Sequence, residues 1–291
     1  MDLHVVGIRY RNDQKEEDAA MRLVDEGKAA GEEAAKGGAF SYAEANFPEE
    51  QRTDDRITNL GILGGAIADA VAEGAKAGKR VMVVGSNCTA LPGILGGLQD
   101  AYGPTHKMGL IWFDAHGDFN TPRTTLSGML GGMPVAVSAG LCFHNWREAS
   151  HLAAALPTDR ILMVDVRNLD PAEEQLIRAT DVQIARIADG FAGDLPLADA
   201  VNDLAARCDS LYLHIDSDIL DASLTPNHGT KEPNGPDVAQ TVEAIGTVMA
   251  TGKVVALGLV SINSATPGGD VTLASGMAML RGGLEKWSKE S

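Results

Sequence analysis

Short, nearly continuous apolar runs recur along the chain, at Leu3–Ile8, Arg80–Gly85, Met108–Phe113, 161–166, 182–187, 211–215 and Val254–Val260. Several lack the alternation of a half-exposed strand. Both faces of such strands must be covered, which is the condition of a parallel sheet buried between helices. Helical stretches fill the intervals at 13–36, 55–77, 171–178, 195–208, 236–250 and 271–289. In 55–77 the apolar residues Ile57, Leu60, Leu63, Ile67 and Val71 recur at three and four, which lines one helix face. Pro171 and Pro236 suit first helical positions. The segment 37–54 is polar and mixed, and reads as a loop. There is no internal repeat and no low-complexity linker. The chain, 1–291, is therefore expected to form one α/β domain: a three-layer αβα sandwich around a central, mainly parallel sheet of about eight strands.

A chain of 291 residues can bury a large core. Its formal charge of −16 repels phosphate backbones, which argues against nucleic-acid partners. The three cysteines, Cys88, Cys142 and Cys208, are odd in number and widely spaced, so no disulfide framework is expected and a reducing compartment is. The N-terminal MDLHVVGIRY lacks the pattern of a signal peptide, and no apolar run is long enough for a membrane span. The expectation is a cytoplasmic protein without a membrane partner.

In open parallel sheets reactive groups gather at the carboxyl ends of the strands. Three apolar runs here end in polar chemistry: Gly85-Ser-Asn-Cys-Thr89, Asp114-Ala-His-Gly-Asp-Phe-Asn120 and Asp216-Ser-Asp-Ile-Leu-Asp221. Asp114, His116 and Asp118 alternate, as do Asp216 and Asp218, so each set can share one face of an extended backbone. Carboxylates held so close repel, and one would take up a proton unless a cation lay between them. Four aspartates and a histidine suit Mn2+. One bridging carboxylate from each segment would hold two ions and activate a water between them. Either motif alone is as readily a strand-end cap; two together, each closing an apolar run, are hard to explain that way.

These motifs, in their order and separation, resemble the arginase and agmatinase superfamily, the ureohydrolases, over about residues 80–265. The resemblance implies that Asp114 and Asp216 bridge two Mn2+ ions, that Asp118 completes one ion's ligands and accepts a hydrogen bond from the metal-bound hydroxide, and that His116 and Asp218 complete the other's. It also implies a small-molecule substrate and a homo-oligomer, trimeric or hexameric. Asn120 and Ser127 match positions that hold a substrate α-carboxylate, and Asp170 the position that holds an α-ammonium. As plain residues, Asn120 and Ser127 are also turn formers, and Asp170 a helix cap before Pro171.

The sequence departs from the family pattern in three places. Cys88 stands where a histidine would bind the first ion, and a thiolate is a softer ligand than Mn2+ prefers. Gly131 stands where a proton-shuttling histidine would be. Ser261 replaces the glutamate that pairs with a guanidinium. A buried guanidinium without that partner is costly, so a less basic group is expected: N-hydroxyguanidino, formimino or ureido. The hydroxyarginine hydrolase of D-cycloserine biosynthesis is a precedent in kind. His228 is either a substitute proton carrier or a solvated loop histidine. His214 is expected to be packed or to support a ligand. Gly93, Gly96 and Gly97 lack the Gly-Lys context of a phosphate loop. The leading expectation is a dimanganese hydrolase of a C–N bond; the alternative is a non-catalytic, metabolite-binding paralogue.

Overall fold

The computed structural model describes residues 1–289. The strands are Leu3–Ile8 (β1), Phe40–Ala45 (β2), Arg80–Gly85 (β3), Met108–Phe113 (β4), Ile161–Val164 (β5), Gln183–Arg186 (β6), Leu195–Pro196 (β7), Ser210–Asp216 (β8) and Val254–Val260 (β9). They form one sheet in the order β2-β1-β3-β9-β8-β4-β5-β6-β7, and every pairing in it is parallel. The four central strands are almost wholly buried, as their unbroken apolar runs required.

The helices are Arg22–Ala34 (α1), Arg56–Lys76 (α2), Leu91–Tyr102 (α3), Pro134–Ser138 (α4), His144–Ala149 (α5), Pro171–Arg178 (α6), Leu197–Arg207 (α7), Val238–Met249 (α8) and Gly269–Lys289 (α9). One core joins Leu23, Val201, Ile245 and Leu280 to the sheet face of Val5, Met82 and Leu213. A second, on the other face, joins Ile67, Ile94 and Ile177 to Val6, Val83 and Trp112. These are the three layers expected. Each fully buried aliphatic side chain stabilises them by about 1.5–3 kcal/mol.

Several elements differ from the sequence reading. The sheet has nine strands because 37–54 contains β2 and because 195–208 begins with β7. β2 is an edge strand and only half-buried, so its sequence carries no apolar run. The stretch 13–36 is helical only from Arg22; before it, Tyr10–Arg11 pairs antiparallel with Gln14–Lys15. Helix α8 starts after Pro236: Asp237 Oδ1 accepts from Gln240 N at 2.8 Å, and Asp237 N donates to Gln240 Oε1 at 2.9 Å, a reciprocal cap. Helix α3 was hidden by its glycines. A Cβ on Gly93 would stand 2.5 Å from Gly64 O, and one on Gly97 2.5 Å from Ala68 O. These glycines let α3 pack closely on α2.

Trp112 ties the core to what lies above it. It is fully buried, stacks on His214 at 4.1 Å between ring centroids, and donates from Nε1 to His116 O at 3.1 Å. Replacing it with Ala should cost about 3–5 kcal/mol and loosen the loop carrying His116.

Candidate metal centre and substrate cavity

The chain leaves β4, β8 and β3 at the same edge of the sheet, and each exit is shaped by local hydrogen bonds. After β4, Asp114 Oδ1 accepts from His116 N at 2.7 Å. Asp118 sits at φ 46°, uncommon for any residue but glycine. The surroundings hold it there: its carbonyl accepts from Val135 N at 3.0 Å at the start of α4, and Phe119 N donates to the buried Glu173 at 2.8 Å. After β8, Asp216 Oδ1 accepts from Asp218 N at 2.9 Å. Ala115 N donates to Asp218 Oδ1 at 3.3 Å and joins the two motifs. After β3, Cys88 Sγ donates to Asp216 Oδ2 at 2.9 Å and lies 3.6 Å from Asp114 Oδ2.

Three groups of possible ligands result: Cys88, Asp114 and Asp118; Asp114, His116 and Asp218; Asp216, Asp218 and His228. Within each, the ligand atoms lie within 4.8 Å of one another. His116 Nδ1 is 3.3 Å from Asp114 Oδ1 and 3.1 Å from Asp218 Oδ2. His228, which is buried and not a solvated loop residue, places Nε2 3.3 Å from Asp216 Oδ1 and Nδ1 3.5 Å from Asp218 Oδ2.

The charges are in conflict. Burial, then the neighbouring carboxylates, push Asp114 well above the usual carboxylate range. Burial also raises Asp118, against His116, which lowers it, while Asp216, Glu173 and Asp218 add to the rise. Burial alone would raise Asp216 too, but the proximity of His228 and the Asp218 N–H hold it below that range. Burial opposes a charge on His116, yet Asp114 and Asp218 outweigh it and lift that imidazole to about 12. Burial, followed by Asp216, Asp118 and Asp114, drives the Cys88 thiol well above its ordinary value. His228 Nε2 is buried without a well-aligned hydrogen-bond partner. Self-repelling buried carboxylates, an orphaned imidazole nitrogen and a donor set of oxygen, nitrogen and sulfur fit divalent metal ions. His214 is neutral, its imidazole lowered by burial to about 3, and it supports the site from below: Nδ1 lies 2.8 Å from Tyr212 Oη and Nε2 3.6 Å from Cys88 Sγ.

The candidate ligands, His228, Gly131 and the expected substrate-binding residues Asn120, Ser127, Asp170 and Ser261 line a single cavity of about 470 Å3. At one end Asp170 Oδ2 accepts from Asn120 Nδ2 at 3.2 Å and from Leu126 N at 3.1 Å. Asp170 also precedes α6, where its N–H donates to Glu173 Oε2 at 3.2 Å, so it faces the cavity and belongs to the helix cap at once. Ser127 is exposed, and its Oγ accepts from Met129 N at 3.2 Å. Ser261 is buried at φ 66° and donates its N–H to Ser86 O at 3.1 Å. The sequence reading missed Arg11, Thr230 and Glu232. Thr230 Oγ1 donates to Asp218 Oδ2 at 3.2 Å; Glu232 Oε1 accepts from Asn168 Nδ2 at 2.6 Å and lies 3.6 Å from His116 Nε2. Thr230 and Glu232 sit in an irregular segment and Arg11 in a two-residue strand, with no spacing to reveal any of them.

The arginase family model matches residues 7–282. The chain belongs to the arginase family. Its resemblance is spread thinly. It is 30% identical over 185 residues to the arginase of Bacillus caldovelox, a match covering 62% of this chain and 61% of that protein. With the arginase of Bacillus subtilis the identity is 26% over 219 residues, covering 74% and 73%. Among solved structures, Bacillus subtilis arginase superposes with a TM-score of 0.81 at 20% identity over 98% of both chains. Formimidoylglutamase from Bacillus subtilis superposes with a TM-score of 0.69 at 12% identity over 99% of this chain and 88% of that one. The arginase fold thus extends through the N-terminal segment, where the sequence motifs fade. No helix among the described residues is long and apolar enough to cross a membrane.

Proposed function

We propose that this arginase-family chain is a metal-dependent hydrolase, holding two Mn2+ ions, that cleaves a C–N bond in an N-hydroxyguanidino, guanidino, formimino or ureido group of an amino-acid-like substrate. The observation that carries this reading is the convergence of Asp114, Asp118, Asp216 and Asp218, all buried, on one cavity with Cys88 and His116. Cys88, Asp114, Asp118 and Asp216 would hold one ion, and Asp114, His116, Asp216 and Asp218 the other. Bound there, the ions would supply Lewis acidity and cancel the carboxylate repulsion.

The chain's own groups do the rest. The Asp118 carboxylate takes a proton from the attacking water as its oxygen adds to the substrate carbon. His228, raised above its ordinary value because Asp216 and Asp218 outweigh its burial, is placed to donate from Nε2 to the departing amine as the C–N bond breaks. Ser261 offers a neutral hydroxyl to the reacting group. Asn120, Ser127 and Asp170 hold the amino-acid end, with the acidic Asp170 facing an α-ammonium.

The test is to purify the chain with Mn2+, count ions per chain, and screen arginine, hydroxyarginine, agmatine, formiminoglutamate and ureido amino acids for release of urea, hydroxyurea, formamide or ammonia. Two ions and turnover of one of the less basic amino acids are expected. A chain that binds no metal and loses no stability on chelation would overturn the reading. Full metal with no turnover of any of these would favour a metabolite-binding paralogue.

A further inference from the structure

We propose that Arg11 selects the reacting group of the substrate, favouring one whose far end bears an oxygen acceptor over a plain guanidinium; this rests on the hydrolase reading above. Arg11 lies on the Tyr10–Arg11 and Gln14–Lys15 hairpin, which continues directly from β1. The hairpin is locked onto the loop that carries Cys88. Asn12 N donates to Asn87 Oδ1 at 2.9 Å, and Asn87 Nδ2 donates to Asn12 Oδ1 at 3.2 Å. Ser261, at the end of β9, meets the same loop through Ser86 O. Because β1, β3 and β9 are consecutive in the sheet, Arg11 and Ser261 reach the cavity from the two flanks of one loop. Asn120, Ser127 and Asp170 follow β4 and β5, beyond β8 on the other side. Arg11 therefore faces the reacting end and not the amino-acid end.

Its donors are under-used. Arg11 Nε is buried without a hydrogen-bond partner, and Glu16 Oε1, its ion-pair partner, is 3.9 Å away, too far for a hydrogen bond. The lysine lining the cavity, Lys231, is exposed, with Nζ 3.5 Å from His228 O. A guanidinium substrate would find a like charge at this end and a serine in place of a carboxylate, which is repulsive discrimination. An N-hydroxy or ureido oxygen would accept a hydrogen bond from Arg11, whose side chain has donors and no acceptor.

The experiment compares wild type with Arg11→Met and Arg11→Lys, each loaded with Mn2+. L-arginine and Nω-hydroxy-L-arginine are assayed for kcat and KM and titrated calorimetrically, together with their decarboxylated counterparts. In Arg11→Met the preference for the N-hydroxy compound should fall about 10- to 100-fold, the equivalent of one charge-assisted hydrogen bond. The fall should be the same with and without the α-carboxylate, and Arg11→Lys should keep part of the preference. An unchanged preference overturns the inference. So does a loss equal for both amino acids and absent from the decarboxylated pair, which would make Arg11 a carboxylate reader. If wild type binds metal but hydrolyses nothing, the proposed activity fails separately. The calorimetric preference then decides on Arg11: lost in Arg11→Met it upholds the role, and unchanged it overturns it.

Discussion

The two sides of the candidate metal centre share Asp114 but are built from different chemistry. On one side Cys88 and Asp118 face Asp114; on the other His116 and Asp218 do. The His116 side is held by a lattice of bonds: Asp218 accepts from Ala115 N and from Thr230 Oγ1, and His116 lies near Asp114, Asp218 and Glu232. Its nitrogen and oxygen donors are the kinds that suit Mn2+, although His116, raised to about 12, must give up a proton before its nitrogen can bind. On the Cys88 side a thiol, driven up by burial and three carboxylates, must lose its proton before sulfur can bind. The contrast between the two sides is one of donor softness: both must release a proton to take metal, one from an imidazole and the other from a thiol.

The largest effect should come from removing what the two sides share. Asp216 accepts from Cys88 on one oxygen and pairs with His228 on the other. Asp216→Asn should lower metal affinity more than about 100-fold, beyond what loss of a supporting partner costs, and abolish turnover. Metal analysis after dialysis reads this; two ions retained would break the bridging assignment. Next in size is the asymmetry itself. His116→Ala should remove one ion and most activity, whereas Cys88→Ala should reduce occupancy at the weaker position only. Cys88→His should raise that occupancy by roughly 10-fold or more, since imidazole is the harder ligand and no thiol must ionise. Equal losses from His116→Ala and Cys88→Ala would show that donor softness does not separate the two positions.

A third effect is on pH. Asp114 and Asp118 are raised in the fold, so their contribution to the stability of the metal-free protein is present below the ordinary 3.8 and is lost as pH rises through the raised values. His116 has the same sign: its contribution is present below 6.5 and declines as pH rises toward about 12. Bound metal removes the conflict and takes the place of the protons. The melting temperature of chelated protein should therefore fall between about pH 5 and 8, while that of Mn2+-loaded protein should change less. Calorimetric scans of both forms across that interval read the widening gap. A constant gap would mean that metal binding displaces no protons.

The part of this that was legible in the sequence is the part set by period and charge. Buried parallel strands cannot avoid unbroken apolar runs, so β3, β4, β8 and β9 were readable, and so were the aspartates at the ends of β4 and β8. β2 was not, because a half-exposed edge strand carries no such run. α3 was not, because Gly93 and Gly97, which serve its approach to α2, look locally like a loop. Arg11 was not, because what brings it to the cavity is the pair of Asn12–Asn87 hydrogen bonds between segments 75 residues apart. His228 was half-read: its proximity to the second aspartate motif in sequence was visible, but its burial against Asp216 and Asp218 depends on how the loop folds back.

The remaining expected effect concerns the proton relay, and it asks on which side of the centre protons travel. His228 stands on the side of Asp216 and Asp218, whereas Gly131 faces the Cys88 side, with Asn87 across from it. If His228 delivers the proton, His228→Gln should lower kcat about 100-fold, at the low end for a lost general acid, with KM little changed. Gly131→His can then be tested for rescue. A Cβ at Gly131 would meet only Asn87 Nδ2, at 3.5 Å, so the cavity has room for the start of a side chain there. Alone, Gly131→His should alter kcat less than about 3-fold, because a second donor adds little to a step already served. In the His228→Gln background it should restore roughly 10-fold, since Gly131 and His228 line the same cavity and a donor in reach of the leaving amine is all the step needs. Rescue of kcat without a change in metal content would place the relay in the cavity wall, independent of both metal positions. No rescue, with metal content intact, would mean that the proton must pass along the Asp216 side, and that His228 is bound to its place by the same carboxylates that raise it.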